Sequence, residues 1–130
     1  MKLYNLYENI ILESVTRNSV IDAIENRYRV TIFYAGDDNT ASGKRTIEVY
    51  VYGTTFAGNP AIRAYQLFGD SKTRVVPGWK IFRLDRILDW KPTKGSIFYN
   101  PINERDPSAP AFNPYGDRGL RSVYKIVKFR

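Results

Sequence analysis

The chain has 130 residues, of which 43% are apolar and 25% charged, and it contains neither cysteine nor histidine. That length fits one domain large enough to bury a core, and the missing residue types exclude disulfides, thiolate nucleophiles, iron–sulfur clusters, zinc knuckles and the histidine chemistry of hydrolytic triads. Twenty Lys and Arg against thirteen Asp and Glu give a net charge of +7, which favours a polyanionic partner.

The first 26 residues hold two basic and four acidic groups, residues 27–90 ten and six, and residues 91–130 eight and three. An acidic lead therefore precedes a basic body. Leu3, Leu6, Tyr7, Ile10, Ile11 and Val15 recur at spacings of three and four, which predicts a helix over residues 3–15. Ser19 as cap, Asp22 three residues later, and Ile21 and Ile24 on one side predict a second helix ending near Asn26 or Arg27.

From Tyr28 the period becomes two. Val30, Ile32 and Tyr34 alternate with Arg29, Thr31 and Phe33, a strand with apolar groups on both faces. After the polar turn at 35–43, residues 44–52 set Ile47, Val49 and Val51 against Thr46, Glu48, Tyr50 and Tyr52, a second strand. A third runs over 61–68 and a fourth over 79–83, with the basic loop 69–78 between them. Short strands joined by brief turns predict a small, strongly bent antiparallel sheet or barrel with meander order. Residues 91–120 hold five of the seven prolines and read as a long connection with Phe98, Tyr99, Phe112 and Tyr115 to bury; a last strand follows at 122–129. The expected layout is a helical lead (1–27), a β core (28–90) and a proline-rich extension ending in a strand (91–130), all in one compact domain. The run Ile10-Ile11-Leu12 is too short for a signal core or a membrane span, which predicts a cytoplasmic protein that does not enter the membrane.

No glycine-rich phosphate loop is present, and the adjacent Asp37 and Asp38 sit in a turn without a predictable partner, so neither an enzyme activity nor a cofactor is expected. The informative pattern is cations interleaved with rings: Arg63-Ala64-Tyr65, Lys72-Thr73-Arg74 and Trp79-Lys80-Ile81-Phe82-Arg83. Single-stranded nucleic acid calls for this combination, because cations track phosphates while exposed rings stack on bases. The alternative is that Tyr65, Trp79 and Phe82 are core residues and the cations a solvated rim. In Phe82-Arg83-Leu84-Asp85-Arg86-Ile87, Asp85 stands between two arginines; pairing with one would leave the other for a ligand, and an idle surface trio is the plainer reading.

This hexad follows Ala23-Ile24, the Val30/Ile32/Tyr34 strand, Arg45-x-Ile47-Glu48 and Arg63-Ala64-Tyr65-Gln66-Leu67, and the order and spacing resemble the WYL domain over residues 20 to about 90. Of the tripeptide that names the family only Tyr65 is kept, within Ala64-Tyr65-Gln66. The resemblance implies an Sm-like small antiparallel β-barrel preceded by helix, an α+β fold that is mainly β, here with a C-terminal extension. It also implies a regulatory module whose basic groove binds single-stranded nucleic acid or a nucleotide, standing alone as in small proteins of tailed bacteriophages and then working in the host cytoplasm. Arg63, Arg83 and Arg86 are the binding residues it implies; Lys44, Arg45, Lys72, Arg74 and Lys80 are candidates from charge and strand placement, and Tyr65 supplies the ring. Two other functions fit the sequence: a module that senses a nucleotide or short oligonucleotide and regulates a partner protein, and a structural component docking through its proline-rich segment.

Overall fold

The computed structural model describes residues 15–36, 42–69 and 77–129. The helix expected over residues 3–15 therefore lies outside the described residues, except for Val15. The second helix is present as α1 (Arg17–Asn26). Its cap is Thr16 rather than Ser19: the extended backbone of Thr16 (φ −118°, ψ 166°) lets its hydroxyl accept from the Ser19 amide, satisfying a first-turn donor. Arg27 stops the helix in the left-handed conformation at φ 56°, with its N–H turned back to the carbonyls of Ala23 and Ile24. Val20, Ala23 and Ile24 are buried against the sheet. Full burial of Val20 and Ile24 contributes about 2 kcal/mol each.

Six strands follow among the described residues: β1 (Tyr28–Tyr34), β2 (Gly43–Thr54), β3 (Pro60–Gly69), β4 (Gly78–Arg83), β5 (Ile87–Ile97) and β6 (Ser122–Ile126). A 3-10 turn at Leu84–Arg86 joins β4 to β5, and a single-turn helix, α2 (Ile102–Arg105), follows β5. The sheet runs β4-β3-β2-β1-β5, every pair antiparallel, with β6 added to the far half of β2. It is a mainly antiparallel sheet with a short helix, and it is not closed into the expected barrel. The end strands β4 and β5 are not paired with each other, and the turn between them is tied to the end of β1. The Arg83 amide donates to the Tyr34 hydroxyl (3.0 Å), and the Ala35 amide donates to the Arg86 carbonyl (2.8 Å).

β5 is an 11-residue strand where the sequence predicted an irregular connection, and it crosses the boundary drawn at residue 90. Pro92 and Gly95 mask it in the sequence, but Pro92 sits opposite Val30 on an outermost strand, where the missing N–H costs no ladder bond.

β2 is the central element, and its alternation breaks midway. Val49 faces Ala64 and Val51 faces Arg63, so β2 advances two residues while β3 advances one. The bulge at Tyr50 exchanges the two faces, and Val49 and Val51 end on opposite sides rather than together as expected. Beyond it β2 pairs with β6, and the two backbones come close at Gly53. A Cβ there would lie 2.0 Å from the Ser122 carbonyl oxygen. Gly53→Ala should therefore lower stability by about 2 kcal/mol through forced displacement of β6, read as a lower urea midpoint and faster proteolysis within residues 122–129.

No helix among the described residues is long and apolar enough to cross a membrane.

Candidate nucleic-acid interface

Strand register divides the sequence-derived candidates between the two faces of the sheet. Arg63, Tyr65 and Arg83 share a face, since Arg63 pairs with Ile81, Tyr65 with Trp79, and Ala61 with Arg83. Arg45 and Lys80 are on the other, packed with the core. Lys72 and Arg74 lie outside the described residues.

On the core face Arg45 is 2% exposed. Its guanidinium lies over the rings of Tyr34 (5.4 Å) and Phe82 (5.3 Å) and donates to Gln66 Oε1 (3.2 Å). Burial, with the Arg45 charge beside it, holds the Lys80 ammonium below the ordinary lysine value. Arg45 thus supports the core instead of reaching a ligand from the surface.

The other predicted groups are also engaged. Arg83 grips Asp85 with Nε (3.0 Å) and Nη2 (2.6 Å), as the hexad suggested. Arg86 is tied to the backbone: its Nη1 donates to the carbonyls of Ala35 (3.2 Å) and Gly36 (2.9 Å), clamping the chain as it leaves β1. Tyr65 is 4% exposed and meets Trp79 edge to face at 5.2 Å, so its ring is a packing group. Burial pushes its phenol up, with the Asp106 and Glu48 charges adding to the effect. Arg63 forks onto Asp117 in the extension, Nε to Oδ2 at 2.8 Å and Nη2 to Oδ1 at 3.1 Å.

Burial pushes the Asp117 carboxyl up, but the Arg63 hydrogen bonds, the Gly119 amide and the Arg63 charge outweigh it, and the group titrates below the usual aspartate range. Stability from this pair is fully present above the unfolded aspartate value of about 4 and is lost as pH falls through the lower folded value. The Gly119 amide donates to Asp117 Oδ1 at 2.7 Å and reports on the latch. Its hydrogen-exchange protection should fall on acidification beyond the ordinary aspartate value of about 4, and Asp117→Asn should show the lowered protection at neutral pH.

Most of that face is roofed by the extension. Glu48, fully buried, accepts from Arg29 Nε (2.9 Å), Arg105 Nη2 (2.5 Å) and the Tyr50 hydroxyl (3.0 Å). Arg105 also donates to the Asn100 carbonyl (3.0 Å), and the Ile102 amide donates to the Tyr50 hydroxyl (2.9 Å), so one carboxylate ties β1 and β2 to the segment after β5. Around it Tyr50 packs against Trp79, Phe98, Phe112 and Phe129, at centroid distances of 4.8–6.0 Å.

The same face is open at its other end. The row Arg29–Glu48–Tyr65–Trp79 is roofed; the next row, Lys91–Thr31–Thr46–Phe68, and the one beyond it, Asp89–Phe33–Lys44, have no roof among the described residues. Phe68 is 62% and Phe33 40% exposed, with Lys44 and Lys91 beside them on the strands. Strands spaced about 4.8 Å apart, with a two-residue offset of about 6.8 Å along them, put the backbone positions of the two phenylalanines roughly 12 Å apart across the sheet. Lys91 approaches Asp89 at 3.6 Å, a surface pair that competes little with a phosphate. Of these residues only Lys44 was predicted. Phe33 carried a readable signal, since it falls out of phase with the buried Val30, Ile32 and Tyr34.

No group of three or more acidic side chains able to hold a metal ion occurs among the described residues. Comparison with known proteins found no matching family model and no matching curated protein. Among solved structures, the chain is similar to the proteasome accessory factor B/C (PafBC) of Arthrobacter aurescens, with a TM-score of 0.49 and 18% identity over 68% of this chain. The chain spans 14% of the length of that protein.

Proposed function

We propose that the protein is a nonenzymatic, regulatory module that binds single-stranded nucleic acid on the open rows of its sheet. The observation that carries this reading is the pair of exposed rings, Phe33 and Phe68, set on rigid strands beside Lys44 and Lys91. A sheet that presents rings to solvent offers stacking platforms to unpaired bases, and lysines alongside draw the phosphates. The net charge of +7 and the sequence resemblance to the WYL domain favour the same partner. In this reading the groove lies around Lys44, rather than at the Arg63, Arg83 and Arg86 that the resemblance implies.

Fluorescence anisotropy with a labelled oligothymidylate of about twelve nucleotides tests this, that length being ample for a site of this size. Phe33→Ala and Phe68→Ala should each weaken binding about tenfold, given roughly 1–3 kcal/mol per stacked base. Lys44→Ala should flatten the dependence of log K on log salt by about 0.7. Unchanged affinity in both phenylalanine variants would sink the assignment.

A further inference from the structure

A second feature of the roofed face has no part in that reading. Between the sheet and residues 110–118 lies a cleft of about 320 Å³, at the small end of the range for ligand pockets. Its apolar walls include Trp79 and Phe112, and Arg118 stands at its lip. The Trp79 indole is fixed from three sides: edge to face with Tyr50 (4.8 Å) and Tyr65 (5.2 Å), and donating from Nε1 to the Pro110 carbonyl (3.3 Å). Such an indole is a preorganised surface for a flat ring, because little side-chain freedom is left to lose on stacking.

The charges at the cleft are unequal in kind. Arg63 is neutralised by its fork onto Asp117. Arg118 is exposed and makes no hydrogen bond or ion pair among the described residues. The cleft thus joins a rigid aromatic wall to one guanidinium that binding would engage, and Asp117, the acid lining it, is already committed. We propose that this cleft binds a small planar aromatic molecule carrying one anionic group, with the ring against Trp79 and the anion paired to Arg118. The volume restricts the ligand to one or two fused rings and excludes a continuous strand. The segment that closes the cleft is held by the Arg63–Asp117 latch and the Trp79–Pro110 bond, so an occupant would tighten that segment on the sheet.

Nitrogen-15 NMR of the full chain tests the assignment. Two anions serve as probes, indole-3-acetate for a carboxylate and adenosine 5′-monophosphate for a phosphate, each beside its uncharged partner, indole-3-ethanol or adenosine. At least one anion should shift the Trp79 indole N–H, leave that of the buried Trp90 unchanged, and bind at least fivefold tighter than its uncharged partner. Arg118→Ala should abolish that preference, and Lys44→Ala should not. A response to the carboxylate alone or to the phosphate alone identifies the anion class. No shift at Trp79 up to about 5 mM ligand, equal binding of charged and uncharged partners, or an undiminished preference in Arg118→Ala would overturn the proposal. Oligonucleotide binding at Phe33 and Phe68 is read separately, so either site can fail without the other.

Discussion

Replacing Glu48 by alanine should cost about 3 kcal/mol of unfolding free energy. The carboxylate is fully buried and accepts from two guanidinium groups and a phenol. Removing it leaves Arg29 and Arg105 without their counter-charge beside an aromatic cluster. Arg29 and Arg105 keep side-chain exposures of 26% and 29%, so water recovers part of the loss, which places the expected cost at the lower end for broken buried pairs. Urea unfolding followed by far-ultraviolet circular dichroism measures it. Because Glu48 fastens the extension to the sheet, Glu48→Ala should also lower hydrogen-exchange protection at the Ile102 amide before global unfolding. Glu48→Gln keeps the volume and an acceptor oxygen and should cost clearly less. Equal losses for the two variants would mean that packing, not charge, sets the role of this residue.

Tyr50→Ala should cost about 4 kcal/mol. The ring is fully buried at the bulge of β2 and touches aromatic residues from β4 and from three separate points of the chain after β5. Tyr50→Phe separates its two functions: the ring contacts survive, but the Ile102 amide and Glu48 each lose a partner, for about 1–2 kcal/mol. Burial pushes the Tyr50 phenol far up, and the adjacent Glu48 charge pushes it further. The raised folded value means that the contribution of this phenol is fully present below the ordinary tyrosine value of about 10 and is lost as pH rises beyond it. The stability gap between wild type and Tyr50→Phe should accordingly narrow in alkali.

Much of the sheet was legible in the residues, because period-two alternation reports which side chains a strand buries. The assigned β1, β3 and β4 cores follow Val30, Ile32 and Tyr34, then Ile62 and Ala64, then Phe82. Alternation could not report the bulge at Tyr50, which depends on how β3 and β6 are registered rather than on β2 itself. β5 was obscured because Pro92, Gly95 and three exposed polar positions belong to an outermost strand with little to bury. The burial of Arg45 and Glu48 was hidden for a different reason: a charged residue enters a core only if distant residues satisfy it, and Gln66, Arg29 and Arg105 are far away in sequence. The basic and aromatic character of the candidate interface was legible. Its location was not, because the arginines that looked most available had acids or carbonyls waiting for them in the fold.

Synthesis proceeds from the N-terminus, and this gives the placement of β6 on β2 a temporal meaning. The strands β1 to β5 can pair once residue 97 has emerged from the ribosome, yet Phe112, Phe129 and β6 belong to the roof over Tyr50 and Trp79. Until residues 98–129 emerge, a formed sheet carries an uncovered aromatic face, the kind of surface through which nascent chains associate with one another. Soluble yield on overexpression should thus depend most on how fast residues 98–129 close over the sheet, and least on the sheet itself.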